Sequence, residues 1–182
     1  MEALRVSGDE LARRLAQVRP DQWTQASAVG DWSVFDLVNH VIGGGRRYVM
    51  LFDGADLASI QATRAQDHVG ADPVSSHSRL AEELATRFVG PGALARTLQH
   101  PAGERTGLQL LRMRIAEQAL HAVDQARSLD LDDMLDAQLV GFMLVDVAPD
   151  FEFGRSKGFF GAVREVAEEA TPQERLLALS GR

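Results

Sequence analysis

The sequence predicts an all-α protein, and three observations carry that reading. In residues 112–129, RMRIAEQALHAVDQARSL, apolar Ile115, Ala122, Ala126 and Leu129, with Leu111 just before them, recur at spacings of three, four and seven, the period of one helix face. Helix start and stop signals punctuate the chain. Ser7 with Glu10 and Ser33 with Asp36 read as capping boxes, while Pro20, Asp53-Gly54, Gly90-Pro91-Gly92 and Pro149 read as breakers. A chain of 182 residues, 45% hydrophobic and 25% charged, has the make-up of one ordinary globular domain with room for a core.

Taken in order, the first helix is expected from the Ser7–Glu10 box, carrying Leu11, Leu15 and Val18 inward until Pro20. A polar connection containing Trp23 leads to the second helix, from Ser33 to about Phe52, with Trp32 as a staple against Leu37. Its Gly43, Gly44 and Gly45 each cost roughly 1 kcal/mol relative to alanine inside a helix. They mark a helix break, a close backbone approach or space beside His40, and the space is the favoured reading. Residues 55–66 hold a short helix, and His68 is expected to be exposed. A third long helix starts at Ser75 or Ser76 and turns Leu80, Leu84 and Phe88 inward, with His77 solvated in its first turn. Residues 93–105 read as an irregular connection with His100 at the surface, followed by a helix over 107–129. A fifth helix spans 133–147. From Asp150 onward Gly154, Gly158 and Gly161 break up a tail anchored by Phe151, Phe153, Phe159 and Phe160, with a last helical turn at 175–179.

Composition excludes several function classes. The chain has no cysteine, so disulfides, thiolate metal sites and a protein thiol nucleophile are ruled out. A formal net charge of -7 and a pI near 5.2 argue against a nucleic-acid partner, whose phosphates call for clustered cations. No apolar leader opens the sequence, and the longest apolar run, at 139–145, is too short for a bilayer. The expectation is a cytoplasmic protein with no membrane partner.

Chemistry concentrates on two helices. Glu117 and His121 stand four apart and share a face, one turn above the other. They read either as an intrahelical contact on a solvated face or as two ligands of one divalent metal ion completed from another helix. His40 is the expected third ligand. Asp36 either caps its helix or accepts from the free ring nitrogen of His40, and Asp124 is either solvated or does the same for His121. Arg47, on the His40 face, makes a surface ion pair or clamps a substrate carboxylate. Two imidazoles and a carboxylate would leave open positions on the ion, as catalytic sites do. A water or an external thiol bound there becomes a nucleophile near neutral pH.

Three segments together resemble the DinB-like superfamily, and within it the mycothiol-dependent maleylpyruvate isomerase N-terminal type. Residues 31–40, DWSVFDLVNH, are similar to its W-S-V-x-D-L-x-x-H, and residues 117–126, EQALHAVDQA, to its E-x-x-x-H-x-x-D-x-A. Residues 175–182, RLLALSGR, resemble the ending of a short actinobacterial branch. The resemblance spans essentially the whole chain as a single domain, with a bundle over about 1–149 and a packed tail over 150–182. It implies an up-down-down-up four-helix bundle with an irregular C-terminal extension and a divalent metal, zinc foremost and nickel second, on His40, Glu117 and His121. It also implies a mycothiol-type thiol as cosubstrate, a small-molecule substrate and a homodimer. Two departures bear on the substrate pocket: Val123 stands where the family often has Trp, and Gly45 where Asn is common. Larger relatives carry a further C-terminal domain. Two functions fit these expectations: a metal-dependent transferase or isomerase working with a low-molecular-weight thiol, and a non-catalytic metal- or small-ligand-binding bundle.

Overall fold

The computed structural model describes residues 1–182, which fall into two compact units, Met1–Asp133 and Met134–Arg182. It is mostly helical, with one small two-stranded sheet. In the first unit, helix α1 (Glu2–Leu15) begins ahead of the expected Ser7 start. Ser7 is fully buried inside the helix, where its hydroxyl donates to the carbonyl of Leu4 (3.0 Å) and to Gln118 Oε1 (3.0 Å) on a facing helix. Glu10, its supposed capping partner, instead pairs with Arg13 and Arg14. Local spacing alone could not show that both groups had better partners elsewhere.

Helix α2 (Val34–Phe52) starts as expected. Ser33 Oγ accepts from the Asp36 amide (3.1 Å) while Asp36 Oδ2 accepts from the Ser33 amide (3.0 Å), so two otherwise unpaired donors are satisfied. The helix runs unbroken through its three glycines. Helix α3 (Leu57–Ala62) is short, and α4 (Pro73–Phe88) starts at Asp72, whose side chain accepts from the Ser75 amide (3.0 Å), ahead of the expected serines. His77 is therefore well inside α4 and only 3% exposed, a correction to the solvated reading.

The supposed irregular connection contains a hairpin, β1 (Thr97–His100) paired antiparallel with β2 (Gly103–Thr106). Neither TLQH nor GERT alternates apolar with polar residues, so the two-residue period that announces a strand is absent. His100 at the end of β1 is not a surface residue. Its Nδ1 accepts from the Ala102 amide (3.1 Å) and its ring lies 6.1 Å from that of buried Tyr48. The hairpin delivers the chain to α5 (Gly107–Ser128), capped by Thr106 and Gln109. Gly107 is required by close approach, since a Cβ there would stand 2.0 Å from the carbonyl oxygen of Ala93.

The long helices enclose a shared interior: α1 packs on α4 and α5, and α2 packs on the same two. Leu11, Ile42, Leu84, Phe88, Leu110, Ile115, Ala119 and Leu120 fill it, each large side chain contributing roughly 1.5–3 kcal/mol of burial. Ile42 also joins a cluster with Leu15, Val34, Val38, Val69 and Leu129, with Trp23 and Phe35 against it. No helix is long and apolar enough to cross a membrane.

In the second unit, Asp136 caps α6 (Ala137–Phe142) by accepting from the Gln138 and Leu139 amides, both at 2.9 Å, so this helix starts after the expected Asp133. It continues into a wide π turn, Met143–Val147, and a tight turn at Pro149. Helix α7 (Phe151–Ser156) follows, and α8 (Pro172–Leu179), opened by a Thr171–Glu174 capping box, extends the expected last turn towards the N-terminus. Gly154 lets the ring of Phe160 close on the α7 backbone, as a Cβ there would stand 2.5 Å from that ring.

Candidate functional site

Helices α2 and α5 bring the expected ligands face to face. His40 lies in the second turn of α2, and Arg114, Glu117, His121 and Asp124 run along one side of α5 at helical spacing. His40 Nε2 stands 3.4 Å from Glu117 Oε1. The rings of His40 and His121 meet edge to face, with centroids 5.2 Å apart. His121 Nδ1 hydrogen-bonds Asp124 Oδ2 at 2.8 Å, which leaves Nε2 as the outward nitrogen and fixes the ring's orientation. Asp36 makes no such contact with His40, because its carboxylate is committed to the Ser33 cap. Trp32, expected as a staple, lies with its ring centroid 4.8 Å from that of His40.

The three glycines make room for side chains rather than break the helix. A Cβ on Gly43 would come within 2.5 Å of the His68 ring and 2.9 Å of Arg47 Nη1. On Gly44 it would lie 2.5 Å from Glu117 Oε1, and on Gly45 3.0 Å from Arg114 Nη2. His68 is accordingly not the exposed residue the sequence implied. It is partly buried over α2, its Nε2 donating to the Thr63 carbonyl (2.8 Å) while its amide donates to Asn39 Oδ1 (2.7 Å). The favoured reading of space beside His40 is thus met by space that other side chains fill.

Electrostatics set the protonation states. Burial pushes the His40 imidazole down to about 4 against the opposing pull of Glu117, so the ring is neutral at neutral pH and its lone pair is available. Burial by itself would raise the Glu117 carboxyl. The adjacent Arg114 guanidinium, helped by His40 and His121, outweighs it and keeps the carboxyl below its usual range. Arg47 is only 9% exposed and donates to the carbonyl of His40 at 3.2 Å. It belongs to the site wall and not to a surface ion pair. Burial lowers its pKa, with Glu117 acting in the opposite sense. Burial also raises the Tyr48 phenol and lowers His100 to about 4.

Whether these residues suit a divalent ion is a question of distances. Two donors about 2.0–2.2 Å from a tetrahedral ion lie roughly 3.3–3.6 Å from each other. The His40–Glu117 separation of 3.4 Å matches that edge. The neutral His40 and the Asp124-backed His121 are the right chemical species for ligands. As arranged, though, no group of three or more His, Cys, Asp or Glu side chains is drawn in far enough to hold an ion. The pairwise fit is good and the full set is open.

Two residues escaped sequence reasoning. Arg114, 2% exposed, stands three before Glu117 on the same helix side, a spacing that could have flagged it. His68 reaches the site through a loop, and no periodicity marks it.

The first unit is mainly helical and carries a partly buried His–Glu–His cluster. A family description, the mycothiol maleylpyruvate isomerase N-terminal domain, matches residues 4–126, and the chain belongs to that family. The match lies within the first compact unit and contains every site residue above. The chain is also 30% identical over 179 residues to uncharacterized proteins of Mycobacterium tuberculosis strains CDC 1551 / Oshkosh and ATCC 25618 / H37Rv, covering 96% of this chain and 92% of theirs. No solved structure matches it.

Proposed function

We propose that this protein binds a divalent metal, zinc or nickel, through His40, Glu117 and His121, and uses it with a mycothiol-type thiol in an S-transfer or isomerisation of a small electrophilic acid. The observation that carries the reading is the 3.4 Å approach of His40 Nε2 to Glu117 Oε1 across two helices, beside an imidazole whose far nitrogen is anchored by Asp124. His121 is the third donor in this reading. Membership of a family described by mycothiol and maleylpyruvate supports the cosubstrate and substrate class. The up-down-down-up topology and a homodimer belong to the same reading.

The ion, when bound, lowers the pKa of a thiol so that thiolate is present at neutral pH. The chain's residues supply the rest. His40 offers an unprotonated nitrogen, Asp124 holds His121 in the tautomer that leaves Nε2 free, and Arg47 presents a fixed cation on the His40 face towards a substrate carboxylate.

Protein purified without a histidine tag should contain stoichiometric zinc or nickel by elemental analysis, or take it up on reconstitution. It should turn over a maleylpyruvate-like acid only with added thiol, and His121→Ala should abolish that turnover. A protein that takes up no metal overturns the reading. Metal uptake and ligand-dependent thermal shifts without turnover favour the non-catalytic binding bundle.

A further inference from the structure

Arg114 is nearly inaccessible, yet it ties together the two halves of the site. Its Nη1 donates both to Glu117 Oε2 (2.9 Å), one turn along α5, and to the carbonyl of Val41 (2.9 Å) on α2. Val41 is the residue after His40, so one guanidinium nitrogen links the α2 turn that carries His40 to the α5 turn that carries Glu117. Room for it comes from α2: a Cβ on Gly44 or Gly45 would stand 3.0 Å from Nη1 or Nη2 respectively. With Oε2 engaged by Arg114, the other oxygen, Oε1, is the one that faces His40 Nε2 at 3.4 Å.

We propose that Arg114 is a positioning residue: it holds one oxygen of Glu117 and the backbone after His40 in a fixed relation, so that Glu117 presents a single oxygen to the site. Gly44 and Gly45 are the clearance this device needs. The inference rests on the metal reading for what the presented oxygen binds, but not for the contact itself.

Why an arginine is needed follows from geometry. A carboxylate on a flexible side chain can turn either oxygen, or both, towards an ion. A charge-assisted hydrogen bond to one oxygen from a donor that is itself tethered removes that freedom. Lysine has the charge, but its ammonium is a single point at the end of a flexible stem and cannot reproduce the fixed planar fork. Partners that orient a ligand typically change metal affinity by about tenfold to a hundredfold when removed.

The test uses the full chain, with Co(II) and Zn(II) as probes. In Arg114→Met, apparent Co(II) affinity should fall by about tenfold to a hundredfold and the visible ligand-field spectrum should change, because Glu117 is released. Arg114→Lys should recover the melting temperature more than it recovers the spectrum. Gly45→Ala presses on Nη2 from the α2 side and should alter the spectrum in the same direction with α5 untouched, which covers the case that Arg114→Met does not fold. Combining Arg114→Met with Glu117→Gln should add nothing to the affinity loss of Glu117→Gln alone. Wild-type affinity and spectrum in both Arg114→Met and Gly45→Ala would overturn the proposal, and so would additive losses in the double variant. If the wild-type protein binds neither ion, a crystal structure of metal-free Gly45→Ala or Arg114→Lys decides. Displacement of the Glu117 carboxylate supports positioning while the metal reading falls, and an unmoved carboxylate overturns the positioning role as well.

Discussion

At the scale of single residues, the proposed ligands are held in place by groups one step removed from them. Asp124 is 4% exposed and its carboxylate meets His121 Nδ1 at 2.8 Å. In Asp124→Asn the size is kept but the charge is lost, and the amide can present N–H to the ring and favour the opposite tautomer. Metal affinity should therefore fall by about tenfold to a hundredfold with little change in helix content. Calorimetric titration of metal-free protein with Zn(II) checks it, and equal affinities would count against a supporting role for Asp124. His40, Glu117, His121 and Asp124 were legible in the sequence because helical spacing sorts residues onto faces and the two family-like segments supplied the pairing. Arg114 and His77 were not. Whether a polar residue on a helix is buried depends on what the neighbouring helix places against it, and a single sequence does not encode that directly.

Helix α2 is the element on which local and tertiary demands conflict. Its start is secured by the reciprocal Ser33–Asp36 bonds, so Ser33→Ala should destabilise the fold by about 1 kcal/mol, seen as a lower melting temperature. That start was predictable because a cap is chemistry confined to four consecutive residues. The glycines in the middle were detectable as an anomaly, but their purpose lay in side chains from α5 and from the loop bearing His68. The same logic explains the failures at Ser7 and in the hairpin: a capping signal was overridden by an interhelical hydrogen bond, and four-residue strands carried no pattern. Gly44→Ala separates the two demands. Alanine gains about 1 kcal/mol of helix propensity, while its Cβ would stand 2.5 Å from Glu117 Oε1, so the carboxylate must move. The expected outcome is a folded protein of near-unchanged melting temperature whose divalent-metal affinity drops by about tenfold or more. An affinity equal to that of the wild type would mean that Glu117 has freedom which the close packing denies it.

At the scale of the whole molecule, three histidines of the first unit are held neutral by burial, and this makes stability depend on pH in a defined direction. His40, His77 and His100 are each lowered from 6.5 to about 4. The unfolded chain therefore takes up protons between those limits that the folded chain refuses. Their contribution to stability is complete above about 6.5 and is lost as pH falls towards 4, with a slope of roughly 1.4 kcal/mol per pH unit for each histidine titrating in this way. Glu117 and the capping carboxylates Asp36, Asp56, Asp72 and Glu174 are held below their ordinary values, so stronger acid removes their contribution too, as pH falls below the ordinary carboxylate values. His77 isolates the effect, because it lies on α4 with Arg114 as its charged neighbour and takes no part in the proposed ligand set. Neither of its ring nitrogens meets a protein partner, and a buried polar group in that condition costs about 1–3 kcal/mol. In chelator-treated protein, urea midpoints should fall steadily from pH 7.5 to 5. His77→Leu should raise the midpoint at pH 7.5 and make the fall shallower by close to one proton. A midpoint independent of pH across that interval, or an equally steep fall in His77→Leu, would show that these imidazoles are already satisfied or already charged within the fold.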